Sequence, residues 1–167
     1  MHRSRTLRQK IQSLPALTRA IRQAKRRGQS VVFTNGCFDL LHPGHVTLLE
    51  HAKRFGDVLV VAMNGDRSVR RLKGPGRPIM PQRDRATLLA ALASVDYVII
   101  FNDATPQRLI VRLQPHVLVK GADWRATQIV GRAIVRRRGG RVVRMPLVRG
   151  YSTSHLIRRI RAGRGTP

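Results

Sequence analysis

Residues 31–45 read Val-Val-Phe-Thr-Asn-Gly-Cys-Phe-Asp-Leu-Leu-His-Pro-Gly-His, and this stretch decides the fold. It begins with β-branched and aromatic residues, which predict a short buried strand that ends at Thr34. Asn35-Gly36 favours a tight turn after that strand, and Pro43 suits the first position of a helix. The stretch therefore predicts a strand, a loop and a helix N-terminus in direct succession.

The same succession of strand and helix repeats along the chain. Short apolar runs predict further strands at 58–63, 97–101, 117–119 and 141–145. Apolar periodicity and boundary residues predict helices at 14–27, 43–55, 83–93, 106–113, 129–138 and 152–161. Apolar strands that alternate with helices are typical of a parallel sheet linked by right-handed crossovers. The predicted fold class is α/β, a doubly wound parallel five-stranded sheet with helices on both faces, whose ligands bind at the carboxyl ends of the strands.

Length and composition are those of one globular domain. The chain has 167 residues, of which 42% are hydrophobic, enough to bury a core. We expect a single domain at 13–161, a basic lead-in at 1–12 that is loose or peripheral, and a short tail at 162–167. No apolar run approaches the roughly 18 residues of a membrane span, which predicts a cytoplasmic protein. The one cysteine, Cys37, excludes an intramolecular disulfide and is interpreted as a small buried side chain rather than a nucleophile.

Net charge is the most unusual property of the sequence. Lys and Arg number 33 against 8 Asp and Glu, a formal charge of +25, which suggests a polyanionic partner such as nucleic acid. Most of the basic residues are arginine, a skew that genome base composition can also produce. Aromatic residues make up only 4% of the chain, too few for the stacking platforms of single-strand binders. A basic nucleic-acid-binding module without catalysis stays open as an alternative function.

Two histidines at the predicted helix start carry the candidate chemistry. Pro43 at the first helical position places His42 at the mouth of the helix and His45 in its first turn. Both imidazoles then lie beside free backbone N–H groups and the positive end of the helix dipole, which favours an anion site. Two alternatives stay open: ordinary turn chemistry with two surface histidines, and a zinc or iron site of Asp39, His42 and His45.

Residues 36–45, the signature loop, match the pattern Gly-x-Phe-Asp-x-x-His-x-Gly-His at every fixed position. On this motif the chain resembles the nucleotidyltransferases of the cytidylyltransferase-like superfamily. The resemblance implies a Rossmann-like fold and direct transfer of a nucleotide to a substrate phosphate, with release of pyrophosphate and no covalent enzyme intermediate. Further stretches resemble the heptose 1-phosphate adenylyltransferase branch, and they lie at 63–66, 71–78, 84–92, 105–106, 118–123 and 150–153.

The resemblance also implies roles for individual residues. His42, His45 and Lys73 would be catalytic: the histidines contact the phosphates and stabilise charge at the attacked phosphorus, and Lys73, interpreted as part of a Gly- and Pro-rich loop, binds phosphate. The substrate would contact Asp39, Asn64, Lys73 and Arg77. Besides the two histidines, the nucleotide would contact Thr34, Asn35, Gly36, Cys37, Phe38, Arg85, Lys120, Gly121, Asp123, Tyr151, Ser152, Thr153 and Ser154.

Several of these residues keep a second interpretation. Arg83 could face the nucleotide in place of Arg85, which is preferred because it matches the position of a helix-start arginine that the resembling family uses near the nucleotide. Asp39 could hold its loop by hydrogen bonds or contact the sugar. Asp123 could cap a helix or pair with an arginine, and Ser152 alone would serve as a helix N-cap.

The implied reactants are ATP with Mg²⁺ and D-glycero-β-D-manno-heptose 1-phosphate, which together give ADP-heptose for the inner core of lipopolysaccharide. Mg²⁺ would arrive on the triphosphate, since no carboxylate cluster predicts a metal site of the protein. Relatives are fused to a sugar kinase or free-standing, and this sequence predicts the free-standing form, with a homodimer expected and no obligatory nucleic acid or membrane insertion. The alternative within the superfamily is a cytidylyltransferase that acts on glycerol 3-phosphate or a similar small phosphate.

Overall fold

The computed structural model describes residues 5–146, 148 and 150–163, and within them strands and helices alternate. The strands are β1 Val31–Gly36, β2 Val58–Asn64, β3 Tyr97–Phe101, β4 Val117–Gly121 and β5 Arg141–Met145. The helices are α1 Leu7–Lys10, α2 Leu14–Arg26, α3 Pro43–Lys53, α4 Asp66–Lys73, α5 Gln82–Ala91, α6 Gln107–Leu113, α7 Arg132–Arg137 and α8 Thr153–Arg161, with a 3₁₀ turn at Ala126–Gln128. None of the described helices is long and apolar enough to cross a membrane.

The strands run parallel in the order β3-β2-β1-β4-β5, which confirms the predicted doubly wound α/β fold. From β1 the chain moves outward to β3 on one side and then returns to β4 and β5 on the other, so the direction of winding reverses between β1 and β4. In open parallel sheets, ligands bind outside the carboxyl ends of the strands at such a switch point. The topology therefore places the site where Gly36 ends β1 and Gly121 ends β4.

Two apolar layers cover the sheet, one on each face. One face packs against α2, α6 and α7, whose core residues include Leu17, Ile110 and Val135. The other face packs against α3 and α5 through residues such as Leu49 and Leu89. Strand β2 is buried along its whole length, as expected of a parallel strand covered on both sides. The layers hold the carboxyl edge of the sheet rigidly, and the loops of the site begin there.

The described part of the basic lead-in packs on the edge strand β3. A capping box between Thr6 and Gln9 starts α1, and Ile11 forms a bridge with Val98. The backbone N–H of Gln12 donates to the Val98 carbonyl at 2.9 Å, so the segment covers a sheet edge that would otherwise be open. Residues 1–4 and 164–167 lie outside the described residues, and the division at 13 and 161 stays a prediction.

Helix α4 is an element that the apolar pattern does not predict. It contains two apolar residues, of which Val69 is buried and Leu72 is exposed, so no apolar face repeats along it. Lys73 is consequently the last residue of a helix, and its interpretation as part of a Gly- and Pro-rich loop is wrong. That loop begins one residue later at Gly74, whose φ of 85° ends the helix.

Candidate active site

The signature loop brings His42 and His45 into stacked contact. His42 is the N-cap residue of α3, and the backbone N–H of His45 in the first turn donates to the His42 carbonyl at 2.8 Å. The two ring centroids are 3.8 Å apart, with an interplanar angle of 19°. An extended backbone at His42 and Pro43 at the first helical position produce this start. Both predicted histidines therefore lie at one helix N-terminus.

The stacked pair leaves polar atoms without partners. Among the described residues, Nδ1 of His42, Nδ1 of His45 and Oδ1 of Asn35 are buried and make no hydrogen bond. Buried polar atoms without partners are costly, so they favour a ligand that can satisfy them. The positive dipole end of α3 lies at the same place and favours negative charge. The start of α3 is therefore suited to a phosphate chain.

Burial favours the neutral form of both imidazoles while no anion is bound. It lowers the pKa of His45 to about 4, with a further lowering by the nearby His42 and an opposing effect of a hydrogen bond with the Leu40 backbone. Burial also lowers the pKa of His42. A phosphate beside the rings would raise both pKa values, because negative charge stabilises the imidazolium form. The pair can thus take up positive charge as negative charge arrives.

The free energy of unfolding is expected to fall as the pH falls from about 6.5 to about 4. In this window the unfolded chain protonates His45, whereas the folded chain keeps it neutral, so the unfolded state binds more protons and is favoured. The part due to His45 is on the order of 3 kcal/mol. Denaturant titrations across this range would measure it. His45→Gln should flatten the slope and His51→Gln, on the same helix, should not; an unchanged slope in His45→Gln would contradict the predicted burial effect.

The start of α8 lies against the histidine pair. A Cβ on Gly44 would meet His42 Nδ1 at 3.1 Å and Tyr151 Cβ at 3.4 Å, so glycine permits the close approach of the two segments. The Tyr151 ring lies 6.4 Å from the His42 ring, at an angle of 21°. Ser152 caps α8, since its Oγ accepts a hydrogen bond from the backbone N–H of residue 155 at 3.1 Å. A second helix start, which includes Thr153 and Ser154, is thereby placed beside the first.

Lys120 reaches from β4 to the end of β1. Its Nζ donates to the Asn35 carbonyl at 3.1 Å and lies 4.9 Å from the centroid of the Trp124 ring. Burial lowers the pKa of Lys120 to about 8, and the neighbouring Asp123 carboxylate opposes this effect. Asp123 is exposed, and the capping interpretation is wrong because Arg125 is the N-cap of the 3₁₀ turn. A cation and an aromatic ring thus lie together at the carboxyl end of β4.

Lys73 is exposed at the end of α4 and close to the signature loop. Burial raises the pKa of the Cys37 thiol, and the charge of Lys73 is the strongest of the opposing effects. A raised thiol pKa disfavours the thiolate, which agrees with the interpretation of Cys37 as a small side chain rather than a nucleophile. Within the described residues Lys73 has no hydrogen-bond or ionic partner, so its ammonium group is available to a phosphate.

Asp39 holds the loop that follows α4. Its Oδ2 lies 2.5 Å from Arg77 Nε, and its Oδ1 accepts from the backbone N–H groups of Ile79 at 2.8 Å and Met80 at 3.1 Å. Both oxygens of this buried carboxylate therefore have protein partners, which favours the loop-holding interpretation over a contact with the sugar. The described residues contain no group of three His, Cys, Asp or Glu side chains placed to hold a metal ion, so the site of Asp39 with the two histidines does not form there.

Arg85 is buried beneath the site and does not open onto it. Its side chain is 1% exposed and donates to the carbonyls of Cys37 at 2.5 Å, Asn64 at 2.9 Å and Met80 at 2.9 Å, and to Asp66 Oδ1 at 2.6 Å. These partners occupy the guanidinium, so the structure does not support the direct nucleotide contact that the resemblance implies for Arg85. The alternative residue, Arg83, is exposed on the same helix.

The remaining predicted residues lie in the walls of the site. Asn64 is buried at the end of β2, where its Nδ2 donates to Ser68 Oγ at 3.0 Å. Thr34 and Gly121 are buried strand residues, and Phe38 is buried beneath His45 with ring centroids 5.0 Å apart. The structure therefore gathers the starts of α3 and α8, the end of α4 and the end of β4 around the signature loop. Asp66 lies in the resembling stretch 63–66 but was given no role there, and Met80 was not singled out by any sequence pattern; both are structural partners of Arg85.

Comparison with known proteins identifies a family for this chain and solved structures that share its fold. The model of the family described as cytidylyltransferase-like matches residues 33–159 of this chain. Bifunctional protein HldE of Geotalea uraniireducens (strain Rf4) is 53% identical over 154 residues, which cover 92% of this chain and 31% of that protein. Bifunctional protein HldE of Gluconobacter oxydans (strain 621H) is 54% identical over 140 residues, 84% of this chain and 29% of that protein. This chain therefore spans less than a third of the length of these relatives.

Two solved structures share the fold. The crystal structure of the lipopolysaccharide core biosynthesis protein from Thermoplasma volcanium GSS1 has a TM-score of 0.61 and 25% identity, covering 75% of this chain and 100% of that chain. Pantoate-beta-alanine ligase from Francisella tularensis has a TM-score of 0.56 and 16% identity, covering 83% of this chain and 67% of that chain. The second likeness bears on the fold alone.

Proposed function

Because this chain belongs to the cytidylyltransferase-like family, we propose that it transfers AMP from ATP to D-glycero-β-D-manno-heptose 1-phosphate, giving ADP-heptose and pyrophosphate. The observation that carries the proposal is the stacked pair of His42 and His45 at the start of α3, whose Nδ1 atoms lack partners. The resemblance of 71–78 and 118–123 to heptose 1-phosphate adenylyltransferases supports the choice of acceptor. The likeness to a lipopolysaccharide core biosynthesis protein supports the same choice.

The proposed reaction exchanges one phosphoanhydride bond for another. An oxygen of the sugar 1-phosphate forms a bond to the α-phosphorus of ATP. The bond from that phosphorus to the oxygen bridging to the β-phosphate breaks, and pyrophosphate leaves with that oxygen and its electron pair. The attacking oxygen is already ionised at neutral pH, so no general base is needed. Positioning and stabilisation of charge therefore supply most of the acceleration.

The two histidines are proposed to bind the α- and β-phosphates of ATP. Burial lowers the pKa of both rings, and each ring has a buried nitrogen atom that lacks a partner, so the rings can donate hydrogen bonds or accept protons as negative charge develops. Charge-assisted hydrogen bonds in a site of low dielectric are stronger in the transition state than in the ground state, which is the requirement for catalysis. The positive dipole end at the start of α3 adds to this effect.

The cations of the site are proposed to divide the remaining phosphate contacts. Lys73, exposed and without a described partner, binds the attacking sugar phosphate or the leaving phosphates. The start of α8, with Ser152 to Ser154, receives the triphosphate. Lys120 and its neighbours at the end of β4 bind the nucleoside, where Trp124 provides an apolar surface.

Mg²⁺ is proposed to enter with ATP. The described residues offer no group of three side chains placed to hold a metal ion, whereas phosphate oxygens are ligands that Mg²⁺ prefers. When bound, the ion would neutralise charge on the triphosphate. A homodimer is also part of the proposal, and light scattering on the purified chain would test it.

Pyrophosphate release across a panel of reactants would test the proposed function. ATP, Mg²⁺ and D-glycero-β-D-manno-heptose 1-phosphate are expected to give turnover, and EDTA to abolish it. Turnover with CTP and glycerol 3-phosphate alone would assign the chain to a sister cytidylyltransferase. Tight RNA binding with a steep salt dependence and no pyrophosphate from any pair would favour the nucleic-acid-binding alternative.

A further inference from the structure

Three segments of the chain meet at Arg85. Of the fully buried side chains in the described residues, Arg85 is the largest, and its donors reach the signature loop, the end of β2 and the loop before α5. An arginine buried this deeply is costly unless its donors are satisfied, and the one carboxylate among its partners is Asp66. The fork of the guanidinium therefore fixes the relative positions of three backbone carbonyls.

Met80 is held from both sides. Its carbonyl accepts from Arg85 Nε at 2.9 Å, and its backbone N–H donates to Asp39 Oδ1 at 3.1 Å. Asp39 belongs to the signature loop, and Arg85 binds the Cys37 carbonyl of that same loop at 2.5 Å. The signature loop is thus tied at two points, one on each side of Phe38: Cys37 is bound by Arg85 of α5, and Asp39 is bound by the loop before α5.

Phe38 is the residue between the two ties, and its backbone is strained. Its φ of 46° lies in the left-handed region, which a bulky side chain rarely adopts. Such a conformation persists only where the surroundings hold it, and here both neighbouring residues are anchored. The conformation turns the Phe38 ring inward, where it is 3% exposed and lies 5.0 Å from the His45 ring at an angle of 58°. His45 in turn stacks on His42.

We propose that Arg85 is a positioning residue that acts through Phe38: by holding the Cys37 carbonyl it keeps the Phe38 ring against His45 and so fixes the orientation of the histidine pair. The inference rests on the proposed function only for its kinetic consequence. Lysine at this position keeps the charge but lacks the planar fork, so it cannot hold the same carbonyls at once. The distance between rings and reacting phosphorus then varies, and misplacement by about 1 Å can cost as much as 10²-fold in rate.

Arg85→Lys and Phe38→Leu, singly and together, would test the proposal. Arg85→Lys is expected to lower kcat about 10- to 100-fold with the KM for ATP changed by less than about threefold, because positioning rather than binding is lost. The imidazole NMR titration of His45 is expected to shift toward the ordinary histidine range as the contact with Phe38 loosens. The kcat of the double variant should lie within about threefold of the kcat of the slower single variant, since both substitutions act on one contact.

Lys25→Met is the matched control. Lys25 is a cation that donates to the carbonyls of Leu113 and Gln114 on the other face of the sheet. The Lys25→Met protein should have a lower free energy of unfolding, but its kcat and its His45 titration should be unchanged. An Arg85→Lys protein that is folded and has the wild-type His45 titration would overturn the proposal, as would multiplicative losses in the double variant. The NMR titration needs no turnover, so it separates failure of this inference from failure of the proposed function.

Discussion

His45→Ala is expected to lower kcat by about 10²- to 10⁴-fold with ATP and heptose 1-phosphate. The imidazole lies in the first turn of α3, stacked on His42, and has a buried nitrogen without a partner in the described residues. Its hydrogen bonds form fully only when charge develops on the phosphates, so most of the loss should appear in kcat. Steady-state pyrophosphate release at saturating ATP would measure it.

The fold should survive this change. A buried imidazole whose pKa is held at about 4 contributes no ion pair, and removing it relieves an unsatisfied polar atom. His51→Ala, on the same helix but away from its N-terminus, is the matched control and should keep the wild-type rate. A His45→Ala protein that turns over at the wild-type rate would refute the proposed mechanism.

Lys73→Met is expected to lower kcat/KM by about 10²-fold or more, because the cation that we propose to bind the reacting phosphates is lost. Lys73 is exposed, so the free energy of unfolding should change little. Arg67→Met, another exposed cation of α4, removes the same charge elsewhere on the helix and controls for the general field of the protein.

Salt offers a second readout for Lys73. The difference between Lys73→Met and wild type should persist at about 0.5 M salt, since contacts with a bound phosphate are screened less than long-range steering. If Arg67→Met and Lys73→Met behave alike, the effect belongs to net charge and the assignment of Lys73 to the phosphates is wrong.

Strand and helix order could be predicted because apolar runs report burial on both faces of a parallel sheet. The strand at 97–101 and the strand at 141–145 lie where the pattern places them. The positions of His42 and His45 at the start of α3 could also be predicted, since a proline at a helix start fixes the positions of the residues on either side of it. These features depend on local sequence, so they could be predicted from the sequence alone.

The features that could not be predicted depend on contacts between distant segments. Arg85 looks like any other helix-start arginine in the sequence, and only the fold brings its side chain to carbonyls 21 and 48 residues away. The left-handed backbone of Phe38 likewise follows from anchors on both sides of it, because no intrinsic preference of phenylalanine favours that conformation. Helix α4 was not predicted because most of its residues are polar or charged and only two are apolar.

Few of the cations that give the chain its net charge of +25 lie at the site. Lys73 lies near Cys37 of the signature loop and Lys120 contacts the Asn35 carbonyl, whereas the guanidinium of Arg85 is occupied by partners within the protein. A cationic surface around the cleft would raise the local concentration of ATP and sugar phosphate at low salt. In the proposed mechanism this steering acts on association, and the chemical step is assigned to the histidine pair.

The stereochemical course at the α-phosphorus tests the central claim most directly. The chain would be incubated with Mg²⁺, heptose 1-phosphate and one diastereomer of ATP that carries sulfur on the α-phosphorus, and the configuration of the sugar nucleotide would be read by phosphorus NMR. One direct displacement at the stacked histidines predicts inversion of configuration. Retention would show two displacements through a covalent enzyme intermediate and would contradict the account.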